Sequence, residues 1–274
     1  MGITLPWASV VVPTYGEKGV SLTRTCLESL NKAHGEYVPE VIVVSDGDEP
    51  PVLEKLEQLC IETKAKLIAN PRGGFSKACN AGISLANGGL AVFLVNNDIE
   101  FIEPALLIMA DAMNSTDAGI VGCRLLYPNM TVQHAGVFYA PAPEGSPVPG
   151  YFDHFGRNEP HNHPMVLSLR PSLVTGALMG ISRWYLEVVG QLDERFAFAV
   201  EDLDACLNCM EAGRKSVYLG YTYAIHHEGA SRGRTLEEKR DRFPELIQSE
   251  IDALLFLHQK WGEDYLLNFR LPQQ

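Results

Sequence analysis

The chain has 274 residues, 46% of them hydrophobic, and a formal net charge of −12 with no run of Lys or Arg. Such a chain is long enough for one large α/β domain or two small ones, its charge argues against a nucleic-acid groove, and no apolar run approaches the ~20 residues of a membrane span. An anionic ligand would need local Arg, Lys or a metal ion to overcome the overall field.

The opening MGITLPWASVVVPTY lacks the basic start and long apolar core of a secretory signal, so a cytoplasmic location is expected. The six cysteines are scattered and read as reduced, small hydrophobes. Cys206 and Cys209 form a C-x-x-C, but no second Cys/His pair stands at a zinc-site spacing.

Ala8–Val12 reads as a strand that Pro13-Thr14-Tyr15-Gly16 ends. Ser21 is expected to cap a helix whose Leu22, Cys26, Leu27 and Leu30 fall at 3.6-residue spacing, with Gly35 after its end. Val41–Val44 is a second strand, ending on Ser45-Asp46-Gly47-Asp48, and Pro51 opens the next helix. Lys66–Ala69 is a third strand, followed by a turn carrying Arg72. Phe75–Asn87 is then a helix whose Gly82 suggests close packing on the sheet. Leu90–Asp98, LAVFLVNND, reads as a strand buried on both faces that stops on Asn96, Asn97 and Asp98. In an open α/β sheet such strand ends meet ligands, and an acid there suits a hard cation; Asn-Asn-Asp could equally just turn the chain. The steady alternation argues for a parallel sheet with right-handed crossovers. Neither G-x-G-x-x-G nor a P-loop motif follows the first strand, which excludes nicotinamide and P-loop chemistry.

Further on, Pro104–Met113 reads as a helix, and Ala118–Tyr127 and Val137–Ala140 as strands. Residues 141–164 carry six prolines and three histidines (His154, His161, His163) and are expected to be a long loop, a lid or substrate loop rather than a metal site. Glu201-Asp202 open a helix that ends at Gly213; the two acids serve as well for capping as for chemistry. The strand Ser216–Ile225 ends on His226-His227-Glu228, then Gly229-Ala230-Ser231-Arg232. Pro244–Trp261 is amphipathic. It is expected to pack on the domain, with a homodimer or peripheral membrane contact as alternatives.

Taken in order, VVVPTYGE, VIVVSDGD, NPRGGFSKACNAG, FLVNND, VTGALMGISRWYLEVVGQLDERF, AVEDLDACL and AIHHEGASR resemble the family 2 glycosyltransferases, nearest the rhamnosyltransferase-like branch, from about Ser9 to Gly262. The resemblance implies a GT-A fold: α/β, with a mostly parallel central sheet flanked by helices. It implies one domain over 1–240, with a Rossmann-like nucleotide-sugar-binding half (1–115) and an acceptor half (116–240), followed by a helical extension over 241–274.

It also implies roles. Asn96-Asn97-Asp98 stands where the family has its D-x-D motif, so Asp98 would hold Mn²⁺ or Mg²⁺ with His226, or with His227 in its place. Pro13, Thr14, Tyr15, Glu17 and Asp46 would meet the base and ribose, and Arg72 or Lys77 the diphosphate. Glu201-Asp202 matches the ED pair, with Asp202 as catalytic base; Gly176, Ala177 and Trp184 would line the acceptor side. The helix N-terminus is expected to lower the pKa of Asp202.

The expected function is an inverting, metal-dependent transfer of a sugar from a nucleotide-diphosphate sugar to a glycan, lipid-linked or other hydroxyl acceptor, in the cytoplasm or at the inner membrane face. The rival classes are a sugar-phosphate nucleotidyltransferase, for which the phosphate loop is missing, and a non-catalytic sugar-binding module.

Overall fold

The computed structural model describes residues 7–196, 199–228 and 244–271. Residues 1–6, and Gly229, Ala230, Ser231 and Arg232 of the last motif, lie outside the described residues.

Strand and helix alternate as the sequence predicts: β1 (Ala8–Thr14), α1 (Gly16–His34), β2 (Glu40–Asp46), α2 (Pro50–Thr63), β3 (Lys66–Asn70), α3 (Phe75–Leu85) and β4 (Ala91–Val95). β1 pairs in parallel with both β2 and β4, and β2 with β3. Side chains on these strands alternate between two cores. Val10, Val12, Phe93 and Val95 pack with the α1, α2 and α4 (Ala105–Thr116) side, while Val11, Val92 and Leu94 face the α3 side. This double burial is why the strands read as unbroken apolar runs. Gly82 is required where it stands, since a Cβ there would lie 2.3 Å from Val11 Cγ1.

α1 begins five residues before the expected cap. Tyr15 is extended (φ −156°, ψ 139°), the Gly16 N–H donates to Asp48 Oδ1 at 2.6 Å, and Ser21 instead donates within the helix to the Lys18 carbonyl. The start is set by the β2 loop rather than by a local Ser cap.

Beyond β4 come the two-residue β5 (Ile99–Glu100), then β6 (Ala118–Leu126), β7 (Val132–His134), β8 (Val137–Pro141), β9 (Gly150–His154), β10 (Leu169–Pro171) and β11 (Leu178–Ser182). The short α5 (Arg183–Val188), α6 (Glu201–Glu211), β12 (Lys215–His226), α7 (Pro244–Trp261) and α8 (Glu263–Leu266) complete the described chain. The ten-stranded sheet runs β10-β12-β6-β11-β4-β1-β2-β3 along its main path. β11 is antiparallel to both β4 and β6, and β12 is parallel to β6.

The expected loop over 141–164 contains β9, which pairs antiparallel with β8 from Val137↔His154 to Pro141↔Gly150. The prolines obscure a hairpin that Gly150 permits, because any Cβ there would strike the Tyr139 ring. The C-terminal helix α7 packs on the domain, with Ala253 and Leu257 in the second core.

Glu40, whose side chain is 9% exposed, clamps the edge where β1, β2 and β3 begin. It accepts from Ser9 Oγ at 2.5 Å, Lys66 Nζ at 2.5 Å and the Asn87 N–H at 2.8 Å. Burial pushes its carboxyl up, but these hydrogen bonds outweigh it and hold the pKa at about 2. A depressed folded-state pKa contributes stability that is present above the unfolded value of about 4.3 and is lost as pH falls towards 2. Glu40→Gln is expected to cost about 1.5–3 kcal/mol in urea unfolding at pH 7. The gap from wild type should close on acidification through that window.

Candidate active site

The chain leaves β1 towards β2 and β3, then returns to β4 on the other side, so the carboxyl ends of β1 and β4 flank a topological switch point. Thr14 and Asn97 brace its floor: Asn97 Nδ2 and Thr23 Oγ1 each donate to Thr14 Oγ1, at 2.9 and 3.0 Å. Pro13 precedes Thr14 in register with Val44. Asp46 accepts from the N–H groups of Gly73 and Gly74 at 2.9 and 3.0 Å, which shapes the turn presenting Arg72. The Arg72 guanidinium lies 3.9 Å from the centroid of the Tyr15 ring, and Tyr15 is 45% exposed. Lys77 is exposed nearby on α3, while Glu17 pairs outward with Lys55 on α2 at 2.5 Å.

At the end of β4 the Asn96 N–H donates to the Ala177 carbonyl at 2.8 Å, and Asp98 is buried. β5 then pairs antiparallel with the end of β12, opposing Ile99 to His226. This puts His226 Nε2 3.2 Å from Asp98 Oδ1, within ion-pair range, yet its alignment leaves Oδ1 a buried oxygen with no hydrogen-bond partner. His226 Nδ1 lies 3.4 Å from Gln133 Oε1, which assigns the ring proton of the neutral imidazole to Nδ1. The Nε2 lone pair then faces a carboxylate oxygen, and two acceptors in that arrangement fit a cation between them. Burial pushes the Asp98 carboxyl up, but the positive charge that His226 presents when its Nε2 carries a proton in place of a cation outweighs it and holds Asp98 below the ordinary range. His227 turns away: its N–H donates to the Asp98 carbonyl, and its ring meets Glu100 at 3.0 Å. Among the described residues no three His, Cys, Asp or Glu side chains converge. A cation here would therefore have only two side-chain ligands, the open coordination of Mg²⁺-type sites that bind phosphate.

The acids that open α6 stand on the same edge. Gly176, beside Ala177, donates its N–H to Asp202 Oδ2 at 2.7 Å, and Leu203 donates to Oδ1 at 2.8 Å. A Cβ on Gly176 would lie 3.2 Å from Asp202 Cβ, a tight contact that glycine avoids. Glu201 is buried. The pKa of Asp202 is raised, against expectation: burial pushes it up, and hydrogen bonds from Gly176, Leu203 and Thr175 only partly offset this. The preceding Val200 takes a left-handed φ of +56°, a β-branched outlier that costs about 1–3 kcal/mol and is typical of functional sites. The approach to α6 is tied to α3, where the Asn80 side-chain amide exchanges two hydrogen bonds with the Leu192 backbone, at 2.9 and 3.0 Å, and Ser76 Oγ donates to the Phe196 carbonyl.

Asp202 opens onto a cleft of about 230 Å³ walled by the β8–β9 hairpin, residues 199–203 and α7. His154 of the hairpin lines it, with its Nδ1 2.6 Å from Nδ1 of the buried His134. Burial and nearby positive charge push His154 down to about 4. His161 and His163 do not join this pair: the His161 carbonyl accepts from Arg124, and His163 accepts from the Met165 N–H.

Trp184 corrects the expectation for the acceptor side. Ser182, just before it, pairs with Ala91 at the far end of β4, and the Trp184 ring stacks under Arg214, 4.4 Å away. It packs at the opposite edge of the sheet from Asp98. Gln133 and His134 are the site residues that the sequence reading did not name; it named His154 in its expected lid or substrate loop and the Pro244–Trp261 helix, but set neither beside Asp202.

The fold is of the GT-A type. Residues 9–165 match the family model described as glycosyl transferase family 2, and the chain belongs to that family. The O-antigen biosynthesis protein RfbC of Myxococcus xanthus is 33% identical over 83% of this chain but only 18% of its own length. Protein y4gI of Sinorhizobium fredii is 30% identical over 93% of this chain and 28% of its own. The chain thus spans less than a third of either relative. Among solved structures, GalNAc-T7 with UDP, GalNAc and Mn²⁺ superposes at a TM-score of 0.69, 14% identical, over 96% of this chain and 49% of that one. The mannosyltransferase PcManGT of Pyrobaculum calidifontis, with GDP-Man and Mn²⁺, gives 0.58 at 17% identity, over 97% and 73%. Both share the GT-A fold. No described helix is long and apolar enough to cross a membrane.

One carboxylate holds the cleft wall in place. Buried Asp204 accepts from Lys260 Nζ, Trp261 Nε1 and Asn208 Nδ2, each at 2.8 Å, and so latches α7 to α6. Asp204→Ala leaves the Trp261 indole N–H unpaired and Lys260 with only its 3.4 Å contact to Asp193, and is expected to destabilise the chain by about 2 kcal/mol in urea unfolding. Proteolysis should then begin within α7.

Proposed function

We propose that this chain carries out an inverting, divalent-metal-dependent glycosyl transfer from a nucleotide-diphosphate sugar to an acceptor hydroxyl. One observation carries the reading. The partnerless oxygen of Asp98 faces His226, and the Asn96–Ala177 and Gly176–Asp202 hydrogen bonds hold a second, raised-pKa carboxylate on the same edge, at the mouth of a cleft.

Asp98 and His226 would hold Mn²⁺ or Mg²⁺. When bound, the ion supplies charge neutralisation to a departing diphosphate. Thr14, Tyr15, Glu17 and Asp46 line the strand ends where the base and ribose would sit, with Pro13 setting the bend. Arg72 and Lys77 are the exposed cations on the diphosphate side, and Asn96 and Asn97 hold the strand end in register. Asp202 takes the proton of the acceptor hydroxyl as that oxygen bonds to the anomeric carbon. The bond from this carbon to the diphosphate oxygen breaks with its electron pair, through an oxocarbenium-like state. No covalent enzyme nucleophile is used. Buried Glu201 supports the loop entering α6, and Gly176 and Ala177 border the acceptor side.

The Myxococcus relative's name supports a role in polysaccharide or glycoconjugate assembly; a hexosyl or deoxyhexosyl donor is proposed from the family resemblance alone. Burial raises the pKa of Asp202, which makes its ionised form a stronger base.

The test is nucleoside diphosphate release with Mn²⁺ and a panel of UDP-, dTDP- and GDP-sugars. Asp98→Ala is expected to abolish Mn²⁺-dependent binding of the nucleoside diphosphate. Asp202→Asn should keep that binding and lower kcat about 10²–10⁴-fold. A raised base pKa holds the inactive, protonated form to higher pH, so wild-type kcat/KM should fall on acidification through a limb above the ordinary aspartate value of about 3.9. Release absent with every donor and acceptor, or unchanged in both variants, overturns the proposal.

A further inference from the structure

The acceptor is the part of this reaction that neither motif nor fold identifies, and the cleft beside Asp202 bears on it. Its floor is apolar, from Val137 and Leu254, and the Tyr151 ring on its rim is 44% exposed. Its charged lining is acidic, Asp202 and Glu250, with no Lys or Arg among the described lining residues. In a chain of net charge −12, such a wall repels phosphates and carboxylates and accepts hydrogen bonds from hydroxyls.

The hydrogen bonds behind His154 assign its ring protons. The Gly136 N–H points at His134 Nε2, 3.3 Å away, so that nitrogen presents its lone pair and the neutral His134 ring carries its proton on Nδ1. The two Nδ1 atoms are 2.6 Å apart, room for a single shared proton, so His134 donates and His154 Nδ1 accepts. His154 must then carry its own proton on Nε2. No described residue accepts it, and His154 is one of the residues lining the cleft.

We infer that His154 is a positioning residue for an uncharged saccharide acceptor, donating its Nε2–H to an acceptor hydroxyl while the sugar's apolar face rests on Tyr151. The inference rests on the glycosyltransferase reading above and adds the class of acceptor and the residue that orients it. His134 and the Gly136 N–H lock the His154 tautomer. A ring nitrogen is thus kept as a donor in a cleft whose carboxylates only accept.

The experiment measures nucleoside diphosphate release with Mn²⁺ and the donor that turns over, against methyl hexopyranosides, neutral disaccharides and hexuronic acids. Wild type should be stimulated by neutral saccharides and not by uronic acids. His154→Leu should raise the acceptor KM about three- to tenfold with kcat within about twofold, the loss of one neutral hydrogen bond. His154→Gln, whose amide N–H lies near the lost Nε2–H, should recover most of the change. Binding of the nucleoside diphosphate with Mn²⁺ confirms that each variant is folded. Equal acceptor KM for wild type, Leu and Gln variants overturns the inference, as does preference for uronic acids or donor hydrolysis that no neutral saccharide stimulates; each leaves the glycosyltransferase reading standing. No release with any donor and acceptor overturns that reading, and this inference with it.

Discussion

Two backbone amides join the halves of this site. The Asn96 N–H on the Ala177 carbonyl stitches the end of β4 to the TGA turn, and the Gly176 N–H on Asp202 stitches that turn to α6. Residues from three distant parts of the chain are thereby held on one edge by hydrogen bonds only 2.7–2.8 Å long. Side chains on separate elements would drift by rotamer freedom; backbone groups fixed by a strand and a tight turn do not. Glycine at 176 eases this approach, since a Cβ there would crowd Asp202 at 3.2 Å.

The same economy of backbone explains the second junction. Ile99 and Glu100 form a strand of two residues, too short for any sequence pattern to announce, yet their pairing with Ile225 and His226 sets a histidine beside Asp98. An irregularity in β12 between Leu219 and Tyr223, held by Glu103 accepting from Thr222 Oγ1 and the Tyr223 N–H, carries the strand end to that pairing. His227, one residue later, faces the other way by the alternation of the strand, which explains why adjacent histidines have unlike partners.

The legible parts of this molecule were those with period and punctuation. The runs Val10–Val12 and Val92–Val95 are buried on both sides, and so their apolar continuity gave the parallel half directly. The illegible parts were fixed by contacts remote in sequence. The start of α1 answers to Asp48, not to Ser21. The β8–β9 hairpin was hidden under prolines that sit at its ends and tip, where they cost no ladder hydrogen bond. Trp184 followed a glycine turn in sequence, but a five-residue strand separates the turn from the ring and carries it to the far edge. Asp202 shows the limit of local electrostatics. A helix N-terminus alone lowers a carboxyl pKa, yet burial raises this one.

The cleft that Asp202 faces has α7 as one wall, and Asp204, two residues on, anchors Lys260 and Trp261 of that helix. One turn of α6 therefore presents a carboxylate to the cleft and, with the next acid, secures the wall opposite it. The strained Val200 immediately before them fits the same account: a left-handed residue turns the incoming chain so that both acids enter α6 in the required orientation. Strain of that kind persists only where surrounding contacts over-determine it. Here these are the Asn80–Leu192 pair and the Ser76–Phe196 contact upstream and the Asp204 latch downstream. The acidic helix start, read from the sequence as either a cap or a site, is thus both. Its structural acid, Asp204, is buried and fully partnered, and its chemical one, Asp202, faces the cleft.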